Sequence, residues 1–148
     1  SNAGTKTLHK ILYGIGFYKV KSKRIKEISK ILLEKFEGGV PDNIEELLSL
    51  PGVGRKTANC VLVYAFQSPA IPVDVHVHRI SNRLGWIRTK TPEESEQELM
   101  RIVPKNLWVE VNEHLVVHGQ TLCKPISPFC SKCPIFKWCK RIGVTTSR

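Results

Sequence analysis

Cys123, Cys130, Cys133 and Cys139 run as C-x6-C-x2-C-x5-C within seventeen residues. Four thiolates so spaced can converge on one metal centre, and both zinc and an iron–sulfur cluster accept such a set. Well upstream, Leu50 to Ala58 reads LPGVGRKTA, a tight turn that delivers Lys56 to a surface. Gly52 and Gly54 relieve the steric limits on the turn and permit close approach of the backbone, while amide N–H groups at the next helix start can face a phosphate.

The segment Gly52-Val53-Gly54-Arg55 therefore reads as the turn of a helix-hairpin-helix, a sequence-blind grip on a DNA backbone; the bland alternative is a plain interhelical turn. Lys56 falls near the new helix N-terminus beside Arg55, where the macrodipole and a neighbouring cation both disfavour an ammonium. A neutral amine there can attack a sugar anomeric carbon and form a Schiff base. From position alone, Lys56 equally fits a phosphate-binding role. Asp74, in IPVDVHVHR, precedes an apolar-periodic stretch and reads as a helix N-cap. A carboxylate at that place can also stabilise positive charge developing on a sugar ring and help carry protons.

Other patterns lead elsewhere or nowhere. Gly54-Arg55-Lys56-Thr57 resembles the end of a nucleotide-binding P-loop, but Arg55 replaces the glycine before the lysine and a helix precedes it instead of a strand. His76 and His78 diverge on a helix; His114 and His118 share a face but lack an accompanying acidic motif. Gly14-Ile15-Gly16 reads as a helix break. The fifth cysteine, Cys60, sits in an apolar helical stretch and reads as a buried core residue.

The elements that must position these residues are helices. Apolar side chains recur with helical spacing at Leu8, Ile11 and Leu12, at Ile44, Leu47 and Leu48, at Val77, Ile80 and Leu84, and at Trp108, Val111 and Leu115. Asn43 followed by Glu46 reads as a capping box, and prolines punctuate the gaps. No alternating strand stands out, so the expected fold class is all-α. The stretch from Phe66 to Val73 is the candidate boundary between lobes. Residues 1–3 read as a scar of tag removal, 4–68 as one lobe and 69–148 as another.

With 23 Lys and Arg against 13 Asp and Glu in 148 residues, the formal net charge is +10, which suits a polyanionic partner. From Cys123 onward the chain carries Lys124, Lys132, Lys137, Lys140, Arg141 and Arg148 and no acid. A second basic run spans Lys19, Lys21, Lys23, Arg24 and Lys26. Both read as duplex contacts, Lys124 and Lys132 foremost because they sit on the cysteine loop. No apolar run approaches the ~20 residues of a membrane span and no secretory signal is evident, so a soluble intracellular protein is expected. Clustered cysteines in that setting favour a metal over disulfides.

Leu50 to Ala58, Val73-Asp74-Val75-His76 and the cysteine spacing, in that order, together resemble the endonuclease III family of DNA glycosylases, in the helix-hairpin-helix superfamily. The similarity runs from about Thr7 to about Arg141. It implies a partial helical-barrel lobe and a cluster lobe, with Lys56 as Schiff-base nucleophile and Asp74 as catalytic carboxylate at a groove between them. It implies a [4Fe-4S] cluster on the four cysteines, and iron–sulfur over zinc rests on the family's spacing. The implied activity is removal of oxidised pyrimidines from double-stranded DNA, followed by cleavage of the abasic site through beta-elimination. The lysine argues against the related monofunctional adenine and thymine-mismatch glycosylases.

Family members carry further helices before the point where this chain begins. Either the chain is trimmed or cleaved, or those helices come from another chain, and an exposed apolar face on the barrel lobe is the expected cost. The resemblance implies a monomeric full-length enzyme in the cytoplasm, associated with the nucleoid, with a nuclear location left open. A non-catalytic DNA-binding module, an inactive fragment and a zinc-stapled interaction domain are the alternatives.

Overall fold

The computed structural model describes residues 2–148, and among them the regular structure is entirely helical, as the periodicity predicts. Ser1, part of the expected tag scar, lies outside the described residues. No helix among them is long and apolar enough to cross a membrane. The chain forms two compact units, Ser1–Gly54 and Arg55–Arg148.

The first unit holds α1 (Thr5–Leu12), α2 (Tyr18–Lys35) and α3 (Ile44–Ser49). The Gly14-Ile15-Gly16 break separates α1 from α2, with Gly14 at φ 91°. The two helices meet through rings, His9 and Tyr13 lying edge-on to Tyr18 at 5.5 and 5.7 Å. α3 starts at the expected cap: the Glu46 amide donates to Asn43 Oδ1 at 2.9 Å, and Asn43 Nδ2 returns a bond to Glu46 Oε2. Leu47 and Leu50 are buried, yet α1 buries no residue and α2 buries only Ser22.

The second unit holds α4 (Arg55–Phe66), α5 (Val75–Leu84), α6 (Pro92–Ile102) and α7 (Trp108–Thr121), with short 3-10 turns at Lys105–Leu107, Cys130–Lys132 and Phe136–Trp138. α5 is its spine. Val77, Ile80 and Leu84, spaced along one face, pack with Ile71, Val73, Ile87, Leu99 and Leu115 into the core. Gly119 lets α7 come close to α5, since a Cβ there would sit 2.5 Å from His76 Nδ1. α6 begins at an N-cap, Thr91, with Pro92 in its first turn and Glu93 and Glu94 near the positive end of the helix dipole. The segment from Gln67 to Val73 lies inside this unit, with Ala70, Ile71, Pro72 and Val73 buried.

Cys60 departs from expectation. The buried face of α4 is set by Ala58, Asn59, Leu62 and Val63, and Cys60 falls at its edge, half-buried. An apolar stretch does not say which of its residues points inward when the helix is only partly covered.

Candidate functional site

The turn before α4 forms because Leu50 to Val53 satisfies a β-turn. The Val53 amide donates to the Leu50 carbonyl at 3.1 Å, with Pro51 at the second position and Gly52 at the third, at φ 75°. That positive φ is what a type II turn demands and glycine supplies. Arg24 lies directly against Gly52, so a Cβ there would stand 2.6 Å from its Cδ. At Gly54 a Cβ would meet nothing within 4 Å, which leaves that stretch of backbone approachable.

Arg55 opens α4 with a bidentate pair to Glu96 of α6, Nη2 to Oε1 at 2.6 Å and Nε to Oε2 at 3.1 Å. The Glu96 side chain is only 6% exposed, so the pair anchors the start of the helix in the protein interior. Lys56, next in sequence, is exposed. By sequence Arg55 and Lys56 are adjacent cations at the hairpin; Glu96, an acid that belongs to none of the motifs, gives Arg55 a protein partner.

Asp74 caps α5. Its Oδ1 accepts both the His76 amide at 2.8 Å and the Val77 amide at 2.9 Å, while Oδ2 makes no hydrogen bond among the described residues. The cap therefore fixes the carboxylate and still leaves one oxygen uncommitted, so capping and chemistry do not compete. The approach to Asp74 is held from two sides. Asn59 of α4 donates to the Ile71 carbonyl at 3.4 Å, and Asn112 of α7 donates to the Pro72 carbonyl. Both asparagines are buried, and neither belongs to a sequence motif. Their signal is a carboxamide among apolar neighbours on a helix face, the residue type that satisfies stranded carbonyls.

The histidines serve different partners. His76 Nδ1 lies 3.1 Å from Arg79 Nη2, and His78 Nδ1 lies 2.6 Å from Ser95 Oγ. His114 is exposed, and His118 Nε2 stands 3.7 Å from Cys133 Sγ, its basicity lowered by burial.

All four clustered cysteines line one small cavity, about 20 Å³, whose walls also include Ile80, Leu84, Phe129 and Ile135. They share its walls without closing on a point: no three His, Cys, Asp or Glu side chains among the described residues are grouped to hold a single metal ion. Burial pushes the Cys133 thiol up, and the neighbouring Cys139, Cys123 and Cys130 push it further. Four cysteine sulfurs lining one apolar cavity are a donor set suited to a thiolate-ligated metal centre.

Arg83 organises the loop that carries the first of them. It is 9% exposed, and its Nη1 donates to Cys123 Sγ at 3.4 Å and to the Lys124 carbonyl at 2.7 Å, while Nη2 donates to the Pro125 carbonyl at 2.7 Å. Its own carbonyl accepts from the Ile142 amide, and the Leu84 carbonyl from the Lys140 amide. The readable signal is a basic residue between Ile80 and Leu84 on a buried helix. Of the loop lysines expected at a duplex, Lys124 donates its Nζ to the Gln120 carbonyl, and Lys132 is exposed. The chain end closes over the loop, with the Arg148 guanidinium 4.1 Å from the Phe129 ring.

The family described as HhH-GPD superfamily base excision DNA repair protein matches residues 1–105. Endonuclease III of Thermotoga maritima is 50% identical over 140 residues, covering 95% of this chain and 66% of that protein. A trapped covalent endonuclease III–DNA intermediate superposes with a TM-score of 0.86 at 40% identity, over 94% of this chain and 66% of that one. A thermostable thymine-DNA glycosylase gives 0.79 at 26% identity, over 94% and 66%. The chain spans 38% to 66% of the length of the curated relatives it matches. The all-helical fold, the hairpin turn and the cysteine loop agree with these matches, and this chain belongs to the HhH-GPD superfamily of base excision DNA repair proteins, and within it to the endonuclease III family.

Proposed function

We propose that this chain is a base excision DNA glycosylase with abasic-site lyase activity, acting on oxidised pyrimidines in double-stranded DNA. What supports the reading is that one unit holds both an exposed Lys56, on a helix start anchored by the Arg55–Glu96 pair, and an Asp74 carboxylate fixed through one oxygen and open at the other. The similarity to a trapped covalent endonuclease III–DNA intermediate supports it.

A stacked base hides its sugar carbon, so the damaged nucleotide leaves the duplex first. The Lys56 amine then forms a bond to C1′ as the N-glycosidic bond breaks and the base departs with the bonding electrons. Asp74 stabilises the positive charge that develops on the sugar. The attached nitrogen passes a proton to the departing base, and the C1′–O4′ bond opens with O4′ taking a proton from solvent, which leaves a protonated imine. Loss of a C2′ proton from it then expels the 3′ phosphate and nicks the strand. Gly54 presents open backbone to the duplex, Gly52 and Val53 shape the turn that carries it, with Arg24 against Gly52, and the exposed Lys132 adds a cation. Arg55 and Lys124 act there from orientations set by their protein partners.

Cys123, Cys130, Cys133 and Cys139 would hold a [4Fe-4S] cluster, which supplies a covalent staple for the basic loop. Iron and acid-labile sulfide analysis of the purified chain is expected to find both; zinc alone would overturn that assignment. The enzyme acts as a monomer in the cytoplasm, associated with the nucleoid.

The function is tested by borohydride trapping on a duplex bearing an abasic site. The wild-type chain is expected to give a covalent band that Lys56→Gln abolishes while duplex binding persists. Trapping that survives the substitution would remove Lys56 from the chemistry, and salt-dependent binding with no trapping at all would mark a DNA-binding module.

A further inference from the structure

Lys56 is one of three reactive or polar side chains along one face of α4. Cys60 and Tyr64 follow at intervals of four, so they share its side of the helix, about 6 Å and 12 Å further along the axis. Ala58 and Leu62 are buried on the opposite face, and the buried Asn59 and Val63 flank the stripe on one side. Tyr64 is 57% exposed, yet it is not free: its hydroxyl donates to Glu113 Oε1 of α7 at 3.5 Å. Glu113 follows Asn112, the residue that ties α7 to the Pro72 carbonyl just before Asp74. α4 and α7 thus grip the same segment through Asn59 and Asn112, and beside that grip they present a tyrosine and a carboxylate to each other.

Burial and the Glu113 charge, followed by Cys60, hold the Tyr64 phenol above its ordinary value, with Lys56 acting weakly the other way. The phenol hydroxyl donates to Glu113 across a long contact. What remains for a ligand is acceptor capacity: the second carboxylate oxygen of Glu113, and the phenol's own lone pairs, beside an exposed aromatic face. The long 3.5 Å separation leaves the carboxylate open to a better donor.

We infer that Tyr64 and Glu113 form the base-reading wall of the site, selecting an expelled pyrimidine that carries an imide N3–H, as ring-saturated thymine does. The inference rests on the function proposed above, because it takes Lys56 as the point where the sugar is held. A base attached to that sugar extends about one helical turn, 5.4 Å, along α4, which brings it over Cys60 and against the Tyr64 ring. The Glu113 carboxylate accepts from N3–H, a charge-assisted hydrogen bond, and the ring replaces part of the stacking lost on leaving the duplex. Cys60, small and half-buried, leaves room between them.

The test compares two substrates for each of three proteins: the wild-type chain, Glu113→Gln and Tyr64→Phe. One duplex carries a ring-saturated thymine and the other an abasic site, which has no base to read. Glu113→Gln is expected to lower kcat/KM for the thymine lesion about tenfold or more relative to abasic-site cleavage by the same protein, the scale of one hydrogen bond to a charged group. Tyr64→Phe is expected to lower the same ratio by a smaller factor. An N3-methylated ring-saturated thymine supplies the complementary deletion: the wild type should discriminate against it, and Glu113→Ala, which keeps no acceptor there, should lose most of that discrimination. Equal losses on lesion and abasic site would make the pair merely structural and overturn the inference. An unchanged ratio would do the same. Absence of both reactions from the wild-type chain would instead overturn the function on which the inference rests.

Discussion

In the unit Arg55–Arg148, the apolar stripe of α5 disappears from solvent: Val77, Ile80 and Leu84 are 0%, 1% and 4% exposed. In Ser1–Gly54, a comparable stripe on α1 leaves Ile11 at 69%, and Tyr13 and Phe17 beyond it are more exposed still. The two units use the same kind of pattern with opposite outcomes, so amphipathic spacing specifies a helix and a face, not the partner that covers it. Interior polar residues that join elements follow the same division, since Ser22, buried in the first unit, bonds only to Tyr18 of its own helix. Asn59, Arg83, Glu96 and Asn112 all lie in the second unit, and each ties one element to another. Lys56, Asp74 and the four cysteines stand on that cross-braced unit, where side-chain orientation is set by several contacts at once.

The sharpest way to break this contrast is at Leu99, fully buried against α5 in the core of the second unit. Leu99→Ala removes its transfer free energy and leaves a cavity, so denaturant unfolding is expected to register a loss of about 2–5 kcal/mol. A loss below about 1 kcal/mol would mean that this core collapses around the gap and is no more closely packed than the first unit.

What the amino-acid sequence makes legible is what depends on near neighbours. The hairpin turn is readable because Pro51 and Gly52 suit a turn that only a positive φ can close, and Gly52 stands at φ 75°. The Asn43 cap and the α5 stripe are readable because each depends on residues within a turn or two of one another. The cysteine set is readable from spacing, and its four side chains do line one cavity. Distant pairs escape. Arg55 finds Glu96 forty-one residues away, and Tyr64 finds Glu113 forty-nine away. Arg83 reaches the carbonyls of Lys124 and Pro125 across more than forty residues, and nothing local marks those carbonyls as needing a donor. Cys60 defies its apolar surroundings for a related reason, since hydrophobicity ranks a residue but tertiary packing decides which edge of a helix is covered.

The smallest expected effect sharpens the comparison from the other side. Ile11 is 69% exposed in α1, a helix that buries no residue, so replacing its side chain with a polar one removes little from the folded chain. Ile11→Ser is expected to change stability by within about 0.5 kcal/mol, and most of that from the poorer helix propensity of serine. Its solubility should rise, because the substitution removes one of several large apolar side chains that this stretch exposes, Tyr13 and Phe17 being others. Amide hydrogen exchange supplies the direct reading: α1 amides are expected to exchange through local opening, far faster than those of α5, in both the wild type and the variant. Slow exchange in α1, or a loss of several kcal/mol on Ile11→Ser, would mean that something covers this face in solution and that the two units are more alike than their exposure implies.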